Sequence, residues 1–77
     1  MDKVRDIVLR TFKERFGGNM TLNSNLKDNG VNSMNFIQLV ISLEETLEVE
    51  FEDAQLNINQ YDTLEDLVLY IENLQYE

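Results

Sequence analysis

Three stretches of the chain repeat apolar residues at intervals of three and four, and this spacing constrains the fold more than any other feature. Val4, Ile7, Val8, Phe12 and Phe16, with Thr11 among them, share one face if residues 3–16 form a helix. Phe36, Leu39, Val40, Leu43 and Leu47 make a second such stripe, which predicts a helix over 33–47. Leu64, Leu67, Val68, Ile71 and Leu74 make a third. The alternating run Val49-Glu50-Phe51-Glu52-Asp53 has no partner strand elsewhere, so it reads as an extended link that tucks in Val49 and Phe51. Residues 54–60 read as a short helix or a single turn with Leu56 and Ile58 inward.

The punctuation between these stripes agrees with them. Gly17-Gly18-Asn19 stops the first helix, because glycine accepts left-handed backbone angles at a helix C-terminus. Asp62-Thr63-Leu64-Glu65 starts the last, with an acid three residues before a Glu. Between the first two helices, residues 20–32 form a long polar loop, which Met20, Leu22, Leu26 and Val31 are expected to anchor to the core. The expectation is one small domain over residues 1–77, an all-α bundle of three longer helices and one short helix.

Composition narrows the chemistry. The chain has no His and no Cys, so a serine nucleophile has no imidazole base and a thiolate metal site has no ligands. A calcium loop with Gly30 as its sixth residue would place Phe36 at the twelfth position, where a bidentate Glu is needed. No metal site and no enzyme are expected. The acidic and basic residues are segregated: all six Lys and Arg lie at or before Lys27, and residues 28–77 hold twelve acids. Such a surface repels nucleic acid and anionic membranes and favours basic patches on proteins. No apolar run approaches the ~18 residues of a membrane span, and Met1-Asp2-Lys3-Val4-Arg5-Asp6 has no apolar leader, so a cytoplasmic protein is expected.

One junction stands out. Asp28-Asn29-Gly30-Val31-Asn32 is a polar turn that runs straight into the second stripe, with Ser33 at the boundary. Asn32 or Ser33 could cap the helix. A phosphate on Ser33 would also be stabilised there, by the unpaired N–H groups and positive end of the helix. Met34, Ile37 and Ile41 fall on a second apolar arc beside the core stripe, and are expected to be at least partly exposed. Glu44, Glu45 and Glu48 put negative charge at the helix C-terminus, where the helix dipole disfavours it.

Gly30-Val31-Asn32-Ser33-Met34 resembles the Gly-Xaa-Asp-Ser-Leu attachment motif of acyl and peptidyl carrier proteins, and residues 36–45 resemble their second helix. Thr63-Leu64-Glu65-Asp66-Leu67 through Ile71 is similar to their last helix. The resemblance implies a four-helix carrier bundle whose Ser33 receives 4'-phosphopantetheine from a phosphopantetheinyl transferase. The arm would hold an acyl or aminoacyl group as a thioester, supplied by a loading enzyme and presented to downstream synthases. The chain would act as a monomer and catalyse nothing. Met34, Ile37 and Ile41, with Glu44, Glu45 and Glu48, would form the docking face. Asn32 stands where the family has an acid, Asn35 and Gln38 are neutral, and residues 57–62 look longer than in fatty-acid carriers. These departures lean towards a peptide, polyketide or aminoacyl pathway, with a weak likeness to D-alanyl carriers. The alternative is an acidic helical adaptor without a prosthetic arm.

Overall fold

A computed structural model describes residues 3–75. Three α-helices form: α1 (Lys3–Phe16), α2 (Ser33–Leu47) and α3 (Leu64–Gln75). Their bounds follow the three apolar stripes. Helix α1 packs against both α3 and α2, burying Val4, Val8 and Phe12. Phe36, Leu39, Val40, Leu43 and Leu47 of α2 and Leu64, Leu67, Val68 and Ile71 of α3 close the same core. No strand forms among the described residues; Asn25 and Thr63 make an isolated antiparallel bridge.

The segment over 54–60, expected as a short helix or a single turn, forms two 3-10 turns, Asp53–Leu56 and Ile58–Gln60. The segment carries no run of apolar residues long enough to bury one helical face, and helices this short are marginal without packing. Ile58 is buried as expected and Leu56 is half-buried. Of the linker residues, Phe51 is buried and Val49 half-buried. Tyr61 is a core residue that the apolar spacing did not mark. Its ring lies 5.5 Å from Phe36 of α2 and 6.3 Å from Tyr70 of α3. Phe51 meets Tyr70 edge-on at 4.9 Å. Tyr61, from the connection between α2 and α3, thus sits between rings of those two helices.

The long first loop is fastened at several points. Met20, Leu26 and Val31 are buried and Leu22 is half-buried. The Leu22 and Ser24 carbonyls accept the Glu65 and Leu64 N–H groups at 2.8 and 3.2 Å. The loop therefore satisfies N–H groups that the start of α3 leaves without intrahelical partners. The cap of α3 lies one residue later than Asp62…Glu65 suggested. Thr63 Oγ1 accepts the Asp66 N–H and Asp66 Oδ2 accepts the Thr63 N–H, at 3.4 and 3.3 Å. Glu65 is freed to pair with Arg5 of α1 at 2.7 Å.

Candidate functional site

Ser33 is the first residue of α2, and it is exposed. The turn before it is fixed from both sides. Inside, Val31 is buried and its N–H donates to the Leu26 carbonyl at 3.1 Å. Outside, the cap is Asn32, whose extended backbone breaks the helix and whose Oδ1 accepts the Asn35 N–H at 3.0 Å. Asn35 Oδ1 accepts the Asn32 N–H in return at 2.7 Å, and its Nδ2 donates to the Gly30 carbonyl at 3.4 Å. Gly30 ends the 3-10 turn Lys27–Asn29 with φ of 90°, a left-handed angle that disfavours any side chain.

Capping therefore falls to Asn32, which leaves the Ser33 hydroxyl out of the network: it bonds to none of the described residues. A phosphate attached to it would lie by the first N–H groups of α2. No acid stands in the first turn of α2 to repel that phosphate. A phosphopantetheine arm fits these residues: the hydroxyl is exposed, its backbone is held, and open space lies around Gly30.

Met34, Ile37 and Ile41 are 72%, 39% and 49% exposed. They continue along α2 from Ser33 as an apolar strip in solvent, as the helical spacing predicted. Beside them Arg15 of α1 reaches Gln38, with Nη2 donating to Oε1 at 3.1 Å. That places a cation next to the strip, which the segregation of charge along the sequence did not suggest. Glu45 and Glu48 are exposed at the far end. Glu44 differs from both. It is half-buried, and its Oε2 accepts the Phe51 N–H at 2.8 Å, so this carboxylate is used within the fold. Local structure thus accounts for Glu44, although its charge is unfavourable to the helix dipole.

Two further residues near the site make contacts that the sequence did not mark. Asn35 stands three residues after the cap, the place where a Glu or Gln is usually sought. Lys27, at the start of the 3-10 turn, donates to Asn59 Oδ1 and ties the loop to the Ile58–Gln60 turn. Among the described residues no group of His, Cys, Asp and Glu could hold a metal ion. No described helix is long and apolar enough to cross a membrane.

Residues 2–71 match the family model described as a phosphopantetheine attachment site. The chain is also similar to an acyl carrier protein of Campylobacter lari, 40% identical over 50 residues. That match covers 65% of this chain and 62% of the relative's length.

Proposed function

This chain belongs to the phosphopantetheine attachment-site family, and on that premise we propose that Ser33 carries the prosthetic arm and that the chain shuttles acyl or aminoacyl groups as thioesters. The observation that supports Ser33 is its place as an exposed, unbonded hydroxyl at the first position of α2, directly after a turn held by Asn32 and Asn35. The chemistry asks nothing more of this chain. A transferase activates the hydroxyl, and the Oγ–P bond forms as the adenosine diphosphate part of coenzyme A leaves. The terminal thiol of the arm then accepts cargo from a loading enzyme. The chain carries and does not catalyse, and it holds no His or Cys that could act as base or nucleophile.

Met34, Ile37 and Ile41 are the face that the transferase, the loading enzyme and later synthases cover in turn. An apolar strip left in water gains by burial, and a flexible Met fits several surfaces. Exposed Glu45 and Glu48 attract basic rims and speed encounter. The neutral Asn32, Asn35 and Gln38 along the start of α2 support an aminoacyl, peptide or polyketide cargo over a housekeeping fatty-acid role.

Intact mass after incubation with coenzyme A and a broad-specificity phosphopantetheinyl transferase tests the attachment. Wild type gains the mass of one phosphopantetheine and Ser33→Ala gains none. A wild type that stays unmodified beside an active control carrier overturns the reading and leaves an acidic adaptor. Mass spectrometry of the protein taken from its native cells identifies the cargo.

A further inference from the structure

Asn35 makes three hydrogen bonds with the segment Gly30–Asn32: it accepts from Asn32 N–H at 2.7 Å, donates its own N–H to Asn32 Oδ1 at 3.0 Å, and donates Nδ2 to the Gly30 carbonyl at 3.4 Å. The side-chain bonds reach across Ser33 without touching it. The same segment is also fixed by the Gly30 N–H bond to the Lys27 carbonyl at 3.2 Å, by the buried Val31 and its bond to Leu26, and by the Asn32 carbonyl, which accepts the Phe36 N–H at 2.9 Å. Without the Asn35 amide, the Asn32 N–H and the Gly30 carbonyl lose these side-chain bonds, while the backbone bonds of the turn and the cap remain. An N-cap needs only the bond from the Asn35 backbone to Asn32. The bond from the Asn32 N–H to Asn35 Oδ1 completes a capping box, and the Nδ2 bond to the Gly30 carbonyl goes beyond it; both end on the backbone just before the serine.

We propose that Asn35 is a positioning residue for modification of Ser33: its side-chain amide locks the Gly30–Asn32 backbone and so sets the direction in which the Ser33 hydroxyl meets the transferase. This rests on Ser33 being the attachment residue. Asn35 touches neither the phosphate nor coenzyme A; it acts through the backbone. Since Met34, Ile37 and Ile41 remain in place when the amide is lost, docking is preserved and only the productive alignment of the hydroxyl is reduced. Alignment enters the turnover step, where small displacements of a reacting atom are costly.

The test is the rate of mass gain with coenzyme A and a broad-specificity transferase, measured across a range of carrier concentrations. Wild type and the Asn35→Ala, Asn35→Gln and Ile71→Val variants are compared. Asn35→Ala lowers kcat by about tenfold and leaves the KM for the carrier within about twofold. Asn35→Gln keeps a neutral amide that accepts the Asn32 N–H, as Gln does at this position of a capping box, and recovers most of the rate. Ile71→Val trims the buried face of α3, so it lowers stability without touching the turn and leaves kcat unchanged. The proposal is overturned if Asn35→Ala is as fast as wild type, if its loss lies wholly in KM, if Asn35→Gln is as slow as Asn35→Ala, or if Ile71→Val slows the reaction equally. Failure of the underlying reading looks different. Wild type then gains no mass, or Ser33→Ala still does, and both proposals fall together.

Discussion

Glu44 holds the chain that leaves α2 through its carboxylate, which accepts the Phe51 N–H at 2.8 Å. The Glu44 carbonyl meanwhile takes N–H groups from Glu48 and Val49. One residue in the last turn thus sets the turn that delivers Phe51 to Tyr70. Glu44→Ala leaves the partly buried Phe51 N–H without its acceptor, at a cost of about 1–3 kcal/mol. Glu44→Gln keeps an amide oxygen in place and costs less. Urea denaturation of the two variants checks the order; equal midpoints for Glu44→Ala and wild type would remove Glu44 from the fold's supports.

Among the described residues, Glu48 is the non-glycine residue with a left-handed backbone, at φ of 57° and ψ of 48°. A side chain there costs about 1–2 kcal/mol, and glycine returns about 0.5–1 kcal/mol of that as extra freedom of the unfolded chain. Glu48→Gly therefore raises stability by up to about 1 kcal/mol. A lower urea midpoint for the variant contradicts this. If Glu48 also attracts basic partners, the same variant modifies more slowly at low salt while being more stable.

Burial raises the Tyr61 phenol above the ordinary tyrosine range, and neighbouring Tyr70 adds to the rise. The hydroxyl donates to the Gln55 carbonyl at 3.0 Å. The fold therefore keeps a proton that the unfolded chain gives up near pH ~10. Below that pH the contribution is whole; above it, stability falls as pH rises towards the folded value. Tyr61→Phe loses about 1 kcal/mol at neutral pH through the unpaired Gln55 carbonyl, and its alkaline decline is shallower. Melting temperatures of both proteins measured from neutral pH to beyond pH ~10 check the sign. Parallel curves would assign the alkaline loss to other groups.

The three helices could be read from the sequence because each buries one face, and the spacing of that face is set by helix geometry alone. The same geometry exposed Met34, Ile37 and Ile41. What the sequence left undecided depends on contacts between distant residues. Asp62…Glu65 and Thr63…Asp66 both have a capping spacing. The choice falls to Thr63 because the loop carbonyls of Leu22 and Ser24 meet the N–H groups of Glu65 and Leu64, while Arg5 takes the Glu65 carboxylate. Glu44 looked like one more surface charge, since its bond to Phe51 exists only once Glu48 turns the chain back. Tyr61 lies outside every helix, so no periodic pattern could mark it as core. Ser33 was visible as a junction, but its release from capping depends on Asn32 taking the cap, a choice between two neighbouring polar residues that spacing alone left open.

The exposed strip on α2 gives the last prediction. Met34 and Ile41 make little use of burial, so Met34→Ala and Ile41→Ala change stability by no more than about 0.5 kcal/mol. Phe36, two residues from Met34 and on the buried face, provides the contrast: Phe36→Ala costs about 3–5 kcal/mol. If the strip is where the transferase seats, the two exposed variants raise the KM for the carrier and spare kcat, because they weaken association without disturbing the serine. That pattern is the reverse of the one expected for Asn35→Ala, so a single kinetic series separates docking from positioning. Ile37 is more shielded than Met34 or Ile41, and its truncation combines a small loss of stability with the same rise in KM. Unchanged kinetics in all three variants would leave the strip without a role in this step. A loss of several kcal/mol from Met34→Ala or Ile41→Ala would place those side chains in the core instead.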